Sequence, residues 1–370
     1  MSAKERTLPA VCHDGRSGLP RVAAVGSCPI CEARDSTLLF RSPDHLCRVP
    51  GEFTYRRCRQ CRTVFQDPQV VAEDIPLCYP DGYYTHASQE GGVATQDDQR
   101  TVGRRLGWLR DGLRGAIVRA VREPRQQEWL RGPGAALASV RGLRERTFFG
   151  LLDELIPRRP GVVRALDVGC GAGGLMVTLA LAGWAVEGLD LDPIAAGIAR
   201  RTSRAKVTVG DLLTADLPEG AFHLVVLGHV FEHLADPHAA LRRISRLLAS
   251  GGKAVLIYPN PEGLGARLFG DLWAGWEPPR HLVIPPAEAL RLAAVRNGLQ
   301  VMSDRTANRH FGGFSWRVDH VGEAAQPGPI RELVSWLAAD VFLKCVSDPL
   351  RWLGVNMGEE VVLALTKAED

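Results

Sequence analysis

Apolar and polar positions change rhythm along the 370 residues of the chain. In the second half, short apolar runs alternate with stretches of helical spacing. Val162–Val168, Ala185–Asp190, Lys206–Val209, Phe222–Leu227 and Lys253–Tyr258 are rich in Val, Leu and Ile and read as strands. Residues 173–182, 193–203, 230–235 and 238–249 lie between them and read as helices. This alternation predicts an α/β fold with a Rossmann-like, doubly wound parallel sheet. Farther on, Ala287–Ala294 reads as a helix and Leu299–Ser303 as a strand. Residues 330–354 read as apolar helices broken at Pro349, and Glu359–Leu365 as a closing strand next to the sixth. Packing on the core is the preferred use of those apolar helices. A subunit contact or a membrane surface would use the same faces.

The first half reads differently. Residues 1–26 have no period and form a tail. Ser36–Phe40 and Phe53–Arg57 have strand composition and lie between two cysteine pairs, Cys28-Pro29-Ile30-Cys31 and Cys58-Arg59-Gln60-Cys61. Two such knuckles supply four thiolates, the tetrahedral donor set that zinc prefers, and a site closed by four thiolates is structural. Cys28, Cys31, Cys58 and Cys61 are therefore the expected metal ligands of a small zinc ribbon. Cys47 and Cys78 are spare, and the Cys12-His13 pair reads as loop. Tyr79, Tyr83 and Tyr84 come directly after the ribbon. They either lie over a cofactor or pack between the ribbon and the next domain. The expected organisation is a tail to 26, a ribbon over 27–85, and a helical linker or lid over 86–160. A catalytic domain fills 161–370, with an acceptor-loop insertion at 260–296.

Composition narrows the setting. Hydrophobic residues make up 45% and charged residues 24%, as in an ordinary soluble protein. No run is long and uncharged enough to span a bilayer, and the polar N-terminus does not resemble a signal peptide. A cytoplasmic protein is expected. The net charge is only +3. Arg outnumbers Lys 40 to 5, a ratio that reads as genome composition rather than as an arginine-specific role. Residues 100–160 hold 14 Arg and 6 acids. They read as a solvated amphipathic face, because the aromatic interleaving of a nucleic-acid surface is missing.

The chemistry centres on Asp167-Val168-Gly169-Cys170-Gly171-Ala172-Gly173-Gly174, where the first strand of the alternating region meets a helix. Glycines permit positive φ and close approach of a ligand, and the helix after the turn aims free N–H groups over it. Gly169, Gly171 and Gly174 also satisfy the dinucleotide pattern, so NAD enters as a reading. Asp167 argues against it. A carboxylate two residues before the first glycine repels a pyrophosphate and suits the cationic sulfonium and ammonium of S-adenosylmethionine. Asp190, ending the second strand, suits ribose hydroxyls under either reading. Asp211, after the third strand, suits an adenine amino group.

With these segments in order, the chain resembles the class I S-adenosylmethionine-dependent methyltransferases. The resemblance rests on Leu166–Gly173, Asp190, Gly210-Asp211, Phe222–Leu227 and Leu247–Lys253, and covers about residues 162–260. It implies a seven-stranded sheet with the last strand antiparallel. It also implies that Asp167, Gly169, Gly171 and Gly173 hold the methionine end, Asp190 the ribose, and Asp211 with Leu212 the adenine. Leu191 and Gly228 are counted with these cofactor positions. A four-cysteine ribbon before such a domain is similar to a subgroup that includes sugar C-methyltransferases and enzymes of polysaccharide and natural-product pathways.

Beyond the fourth strand stands His229-Val230-Phe231-Glu232-His233. At helical spacing His229, Glu232 and His233 share one face. Either His229 or His233 reads as a general base, with Glu232 and His281 beside it as catalytic candidates. The segment also fits an inverzincin pattern, set aside because it sits within a methyltransferase core. It resembles, too, the Glu-x-x-Glu-His segment of small-RNA 2′-O-methyltransferases and ubiquinone-pathway O-methyltransferases, which hold a divalent ion with a later His. Here His229 replaces the first Glu, and His281 is the later His. A second divalent metal and purely structural roles therefore stay open beside the base. Phe269–His281 holds Trp273, Trp276, Arg280 and His281 and reads as an acceptor-site loop, or as a packing lid for the tryptophans. The expected reaction is methylation at O, C or N of a small-molecule or carbohydrate-like acceptor. Two rivals are an RNA methyltransferase whose ribbon reads nucleic acid and a non-catalytic S-adenosylmethionine-binding scaffold.

Overall fold

The computed structural model describes residues 18–79, 162–307, 346 and 357–367. The expectations for Cys12-His13, Tyr83-Tyr84, the Arg-rich 100–160 stretch and the 330–354 helices lie outside those residues. By internal packing the chain divides into two units. One comprises Met1–Tyr83, Gly228–Arg242 and Leu256–Ala368. The other comprises Tyr84–Leu227, Arg243–Val255 and Glu369–Asp370.

In the first unit, β1 (Val22–Ala23) pairs with β5 (Gln69–Val70). Strands β2 (Ser36–Ser42), β3 (Phe53–Cys58) and β4 (Val64–Gln66) form the antiparallel ribbon sheet. Its two knuckles fold alike. Glu32 N donates to Cys28 O and Arg62 N to Cys58 O, and Glu32 and Arg62 both take positive φ to close the turn.

The second unit holds β6 (Arg164–Val168), α1 (Gly174–Ala182), β7 (Ala185–Asp190), α2 (Pro193–Ser203) and β8 (Lys206–Val209). The Asp192 carboxylate caps α2 by accepting from Ile194 N, with Pro193 at the first helical position, where its missing N–H costs nothing. Next come β9 (Phe222–Gly228), α3 (Pro237–Leu247), β10 (Leu248–Pro259), α4 (Leu264–Phe269), β11 (Val283–Ile284), α5 (Ala287–Arg296), β12 (Leu299–Ala307) and β13 (Glu360–Lys367).

The large sheet has seven strands in the order β12-β13-β10-β9-β6-β7-β8. Strand β6 runs parallel to β7 and β9, β7 runs parallel to β8, and β12 and β13 are antiparallel. Leu224–Leu227 and Val361–Leu365 are buried without alternation, as strands covered on both faces must be.

Two expectations change. β10 and β12 extend past the residues assigned to them, 253–258 and 299–303. The helix expected over 230–235 does not form. In its place is a single 3₁₀ turn, Phe231–His233. His229 takes φ +57, Leu234 is extended, and Asp236 precedes Pro237, a position that disfavours helix. The shared helical face of His229, Glu232 and His233 is therefore absent, and other contacts bring these side chains together.

Candidate active site

The glycine turn is held from beneath. Gly169 N and Cys170 N both donate to Leu189 O, at 2.7 and 3.2 Å. Gly171 N donates to Asp190 Oδ2 at 2.7 Å, and Asp192 N donates to Asp190 Oδ1 at 2.9 Å. Gly169, Gly171 and Gly173 all have positive φ. A Cβ on Gly173 would lie 3.0 Å from the Ala199 backbone, so the turn seats directly on α2. One on Gly171 would meet no described atom within 4 Å, which leaves that side open to a ligand.

Asp167 is buried, and its Oδ2 has no hydrogen-bond partner among the described residues. Burial, and then the charge of Asp190, push its carboxyl up to about 8. A buried, orphaned carboxylate beside a glycine turn fits a ligand ammonium. Asp211 Oδ1 accepts from Leu213 N within its own turn. Leu212 is buried, Leu191 is exposed, and Gly228 ends β9.

The first unit carries the histidines. His229 Nδ1 lies 3.3 Å from Glu232 Oε1, and Nε2 lies 3.1 Å from Glu360 Oε1. Burial pulls the imidazole down, but these two hydrogen bonds and charges outweigh it and push it up to about 9. Each ring nitrogen faces a carboxylate oxygen, and with the imidazole raised to about 9 both nitrogens donate. Glu232 is fully buried. Burial raises its carboxyl, yet the bond to His229 and the neighbouring histidines hold it below the usual range. Its Oε2 has no hydrogen-bond partner among the described residues.

His233 has the opposite character. Its Nδ1 lies 3.0 Å from both Arg280 O and the Tyr79 hydroxyl. A carbonyl only accepts, so Nδ1 donates and the lone pair sits on Nε2. Burial, and then His281, pull it down to about 4, so the ring is neutral. His281 Nδ1 donates to Gly275 O at 2.8 Å, which turns Nε2 toward Glu232 and Glu277. The two imidazoles meet edge to face at 4.7 Å. Ligand atoms of Glu232, His233 and His281 all lie within 4.8 Å of one another.

The four ribbon sulfurs satisfy the same test. Cys28–Cys61 and Cys31–Cys58 are 3.5 Å apart, close to the roughly 3.8 Å edge of a tetrahedron with ~2.3 Å Zn–S bonds. The bond from Cys28, helped by Thr63, holds the Cys61 thiol below the ordinary thiol range.

A family model described as a methyltransferase domain matches residues 140–304. Residues 140–304 therefore carry a methyltransferase domain of the class I S-adenosylmethionine-dependent kind. The chain is 35% identical over 127 residues to an uncharacterized methyltransferase of Mycobacterium tuberculosis (strain ATCC 25618 / H37Rv), covering 33% of this chain and 61% of that one. It is 36% identical over 100 residues to ajmaline N-methyltransferase of Rauvolfia serpentina, covering 25% and 34%. The chain thus spans 34% to 61% of the length of these curated relatives. A solved geranyl diphosphate C-methyltransferase from Streptomyces coelicolor A3(2) aligns with TM-score 0.41 at 18% identity, over 61% of this chain and 77% of that one.

Among the described residues the four cysteines come together, as do Asp167, Asp190 and the glycines. His229, Glu232, His233 and His281 also meet, through the 3₁₀ turn and the 275–282 loop. Sequence reasoning missed Glu360, although two acids opening an otherwise apolar strand were a visible signal. It also missed Asp44. Arg280, read as part of an acceptor loop, is fully buried and ion-paired to Asp44 at 2.8 Å. Trp273 and Trp276 are buried as well, and Trp273 Nε1 donates to Glu359 Oε2 at 2.9 Å. No helix of the described residues is long and apolar enough to cross a membrane.

Proposed function

We propose that this methyltransferase transfers the methyl group of S-adenosylmethionine to a small-molecule or carbohydrate-like acceptor, in the cytoplasm. The observation that carries the cofactor assignment is the pairing of a buried Asp167 oxygen, without a hydrogen-bond partner among the described residues, with a glycine turn pinned by Asp190. The bound cofactor supplies an electrophilic methyl on a sulfonium. Asp167 faces its ammonium, Asp190 its ribose, and Asp211 with Leu212 its adenine. On the acceptor side, His233 is the general base, because its ring is neutral near pH 7 with a bare Nε2. His229, held between two carboxylates, is a fixed cation rather than a base.

The Glu232 cluster favours a second reading of that side, a divalent metal held by Glu232, His233 and His281. Histidine ligands usually donate their second ring N–H to a carbonyl or carboxylate, and both histidines donate Nδ1–H to backbone carbonyls. Glu232 Oε2, which has no hydrogen-bond partner among the described residues, is a ready third donor. His229 then supports Glu232 instead of occupying the first ligand position. Zinc at Cys28, Cys31, Cys58 and Cys61 is structural on this proposal.

The test incubates the protein with methyl-labelled S-adenosylmethionine and fractionated extract of the source organism, then identifies labelled products by mass spectrometry. A labelled metabolite, lost with Asp190→Ala, supports the proposal. Label in RNA, with salt-dependent RNA binding, would favour the nucleic-acid rival. Cofactor binding without any labelled product would favour the scaffold.

A further inference from the structure

The two histidines of the Glu232 cluster take their orientation from carbonyls of one loop. His233 reads Arg280 O and His281 reads Gly275 O. That loop is fastened to the ribbon at several points. Asp44 Oδ1 and Oδ2 accept from Arg280 NH2 and NH1, each at 2.8 Å. The remaining guanidinium hydrogens go to Glu277 Oε1, Cys78 O and Pro278 O. All five donors are therefore spent, and none is left for an acceptor molecule. Asp44 is itself locked by the backbone N–H groups of Leu46, Cys47 and Val49. Tyr55, on β3 between the knuckles, donates its hydroxyl to His281 O at 2.8 Å, with Trp276 O at 3.3 Å. Leu282 completes the link. Its N–H donates to Glu232 O, its carbonyl accepts from Gln66 N, and β11 pairs with β4.

We infer that the ribbon is the positioning device of the Glu232–His233–His281 cluster, with Asp44 and Tyr55 as positioning residues. They fasten the 275–282 loop, through the Arg280 guanidinium and the Trp276 and His281 carbonyls, and that loop carries the Gly275 and Arg280 carbonyls that set the direction of each imidazole. The ribbon thus acts on a small-molecule reaction from behind the histidines and needs no nucleic acid to give it a purpose. The inference rests on the proposed acceptor-side role of this cluster, but it can be read without turnover.

The experiment uses the full zinc-loaded chain labelled with ¹⁵N-histidine. Long-range ¹H–¹⁵N correlation reads each ring's tautomer, with signals assigned from His233→Gln and His281→Gln. In the native protein both rings should show the Nδ1–H pattern. Asp44→Asn should shift the His233 and His281 ring nitrogens away from it while the chain stays folded. S-adenosylmethionine affinity should stay within about two-fold, because none of Asp44's partners is a cofactor residue. Where a methylated product is in hand, kcat should fall about ten- to hundred-fold with KM for the cofactor unchanged. Folded Asp44→Asn with native ring signals would overturn the inference. If Asp44→Asn does not fold, Tyr55→Phe decides, since it removes one hydroxyl. A shifted His281 signal supports the inference, and an unshifted one overturns it. Absence of any turnover in the native protein would count against the proposed function and leave the ring signals to judge this inference.

Discussion

Gly171 hands its backbone N–H to the Asp190 carboxylate at 2.7 Å, so the acid at the end of β7 both shapes the glycine turn of β6 and lies within reach of a ligand over it. Asp190→Ala removes the pin together with the ribose acceptor of the proposed cofactor placement. Hydrogen bonds to a charged group are each worth about 1.5–3 kcal/mol, so S-adenosylmethionine affinity should fall about ten- to hundred-fold. Calorimetric titration checks this. Unchanged affinity would remove Asp190 from the cofactor site.

Asp167 links cofactor binding to pH. Burial and Asp190 raise its carboxyl to about 8, above the ordinary carboxylate range, so the free protein holds that proton at neutral pH. The stability this contributes is present at low pH and is lost as pH rises toward and through about 8. A ligand ammonium reverses the preference, because it favours the ionised form. Binding near pH 6.5 should therefore release protons, visible as a dependence of binding enthalpy on the buffer's ionisation enthalpy, and affinity should rise until about pH 8. Asp167→Asn should abolish the proton release. A native protein with none would refute this placement of the charge.

Zinc in the ribbon predicts a loss larger than that of one thiol. Cys58→Ser should lower the bound zinc by one equivalent and unsettle the core that Cys47, Val49, Phe53, Tyr55 and Val64 share with Trp273, Trp276 and Ile284. Elemental analysis with thermal melting checks both. A full zinc complement in the variant would move the metal elsewhere.

A second metal predicts unequal histidines. His233→Ala and His281→Ala should each weaken divalent-ion binding about ten-fold or more, and His229→Ala should weaken it less, because His229 reaches the cluster through Glu232. Equilibrium dialysis with Mn²⁺ or Zn²⁺, using ribbon-intact protein, reads this directly. If no ion beyond the ribbon zinc binds, His233 as a plain base is left.

The sheet was legible because strands buried on both faces write themselves as unbroken apolar runs, as Leu224–Leu227 do. The glycine turn was legible because positive φ at Gly169, Gly171 and Gly173 demands glycine. The meeting of the four cysteines was legible because two CxxC pairs on neighbouring turns bring their sulfurs together. The histidine turn was not. His229 adopts φ +57 against the preference of a residue with a side chain, and its surroundings come from afar, Glu360 from the last strand and Ile257 O from β10. Arg280 misled for the same reason. An arginine beside a histidine in a tryptophan-rich loop looks like a ligand group until its carboxylate appears 236 residues earlier.

Val283 and Ile284 finish the ribbon's sheet by pairing with Val64 and Phe65. During synthesis, that final strand leaves the ribosome about two hundred residues after β4, a delay of roughly 10–40 s at about 5–20 residues per second. Until then the apolar edge of β4 has no partner of its own. The knuckles at Cys28–Cys31 and Cys58–Cys61 are complete much earlier. A metal taken up by those knuckles would therefore be in place on the nascent chain before the sheet's last strand is translated.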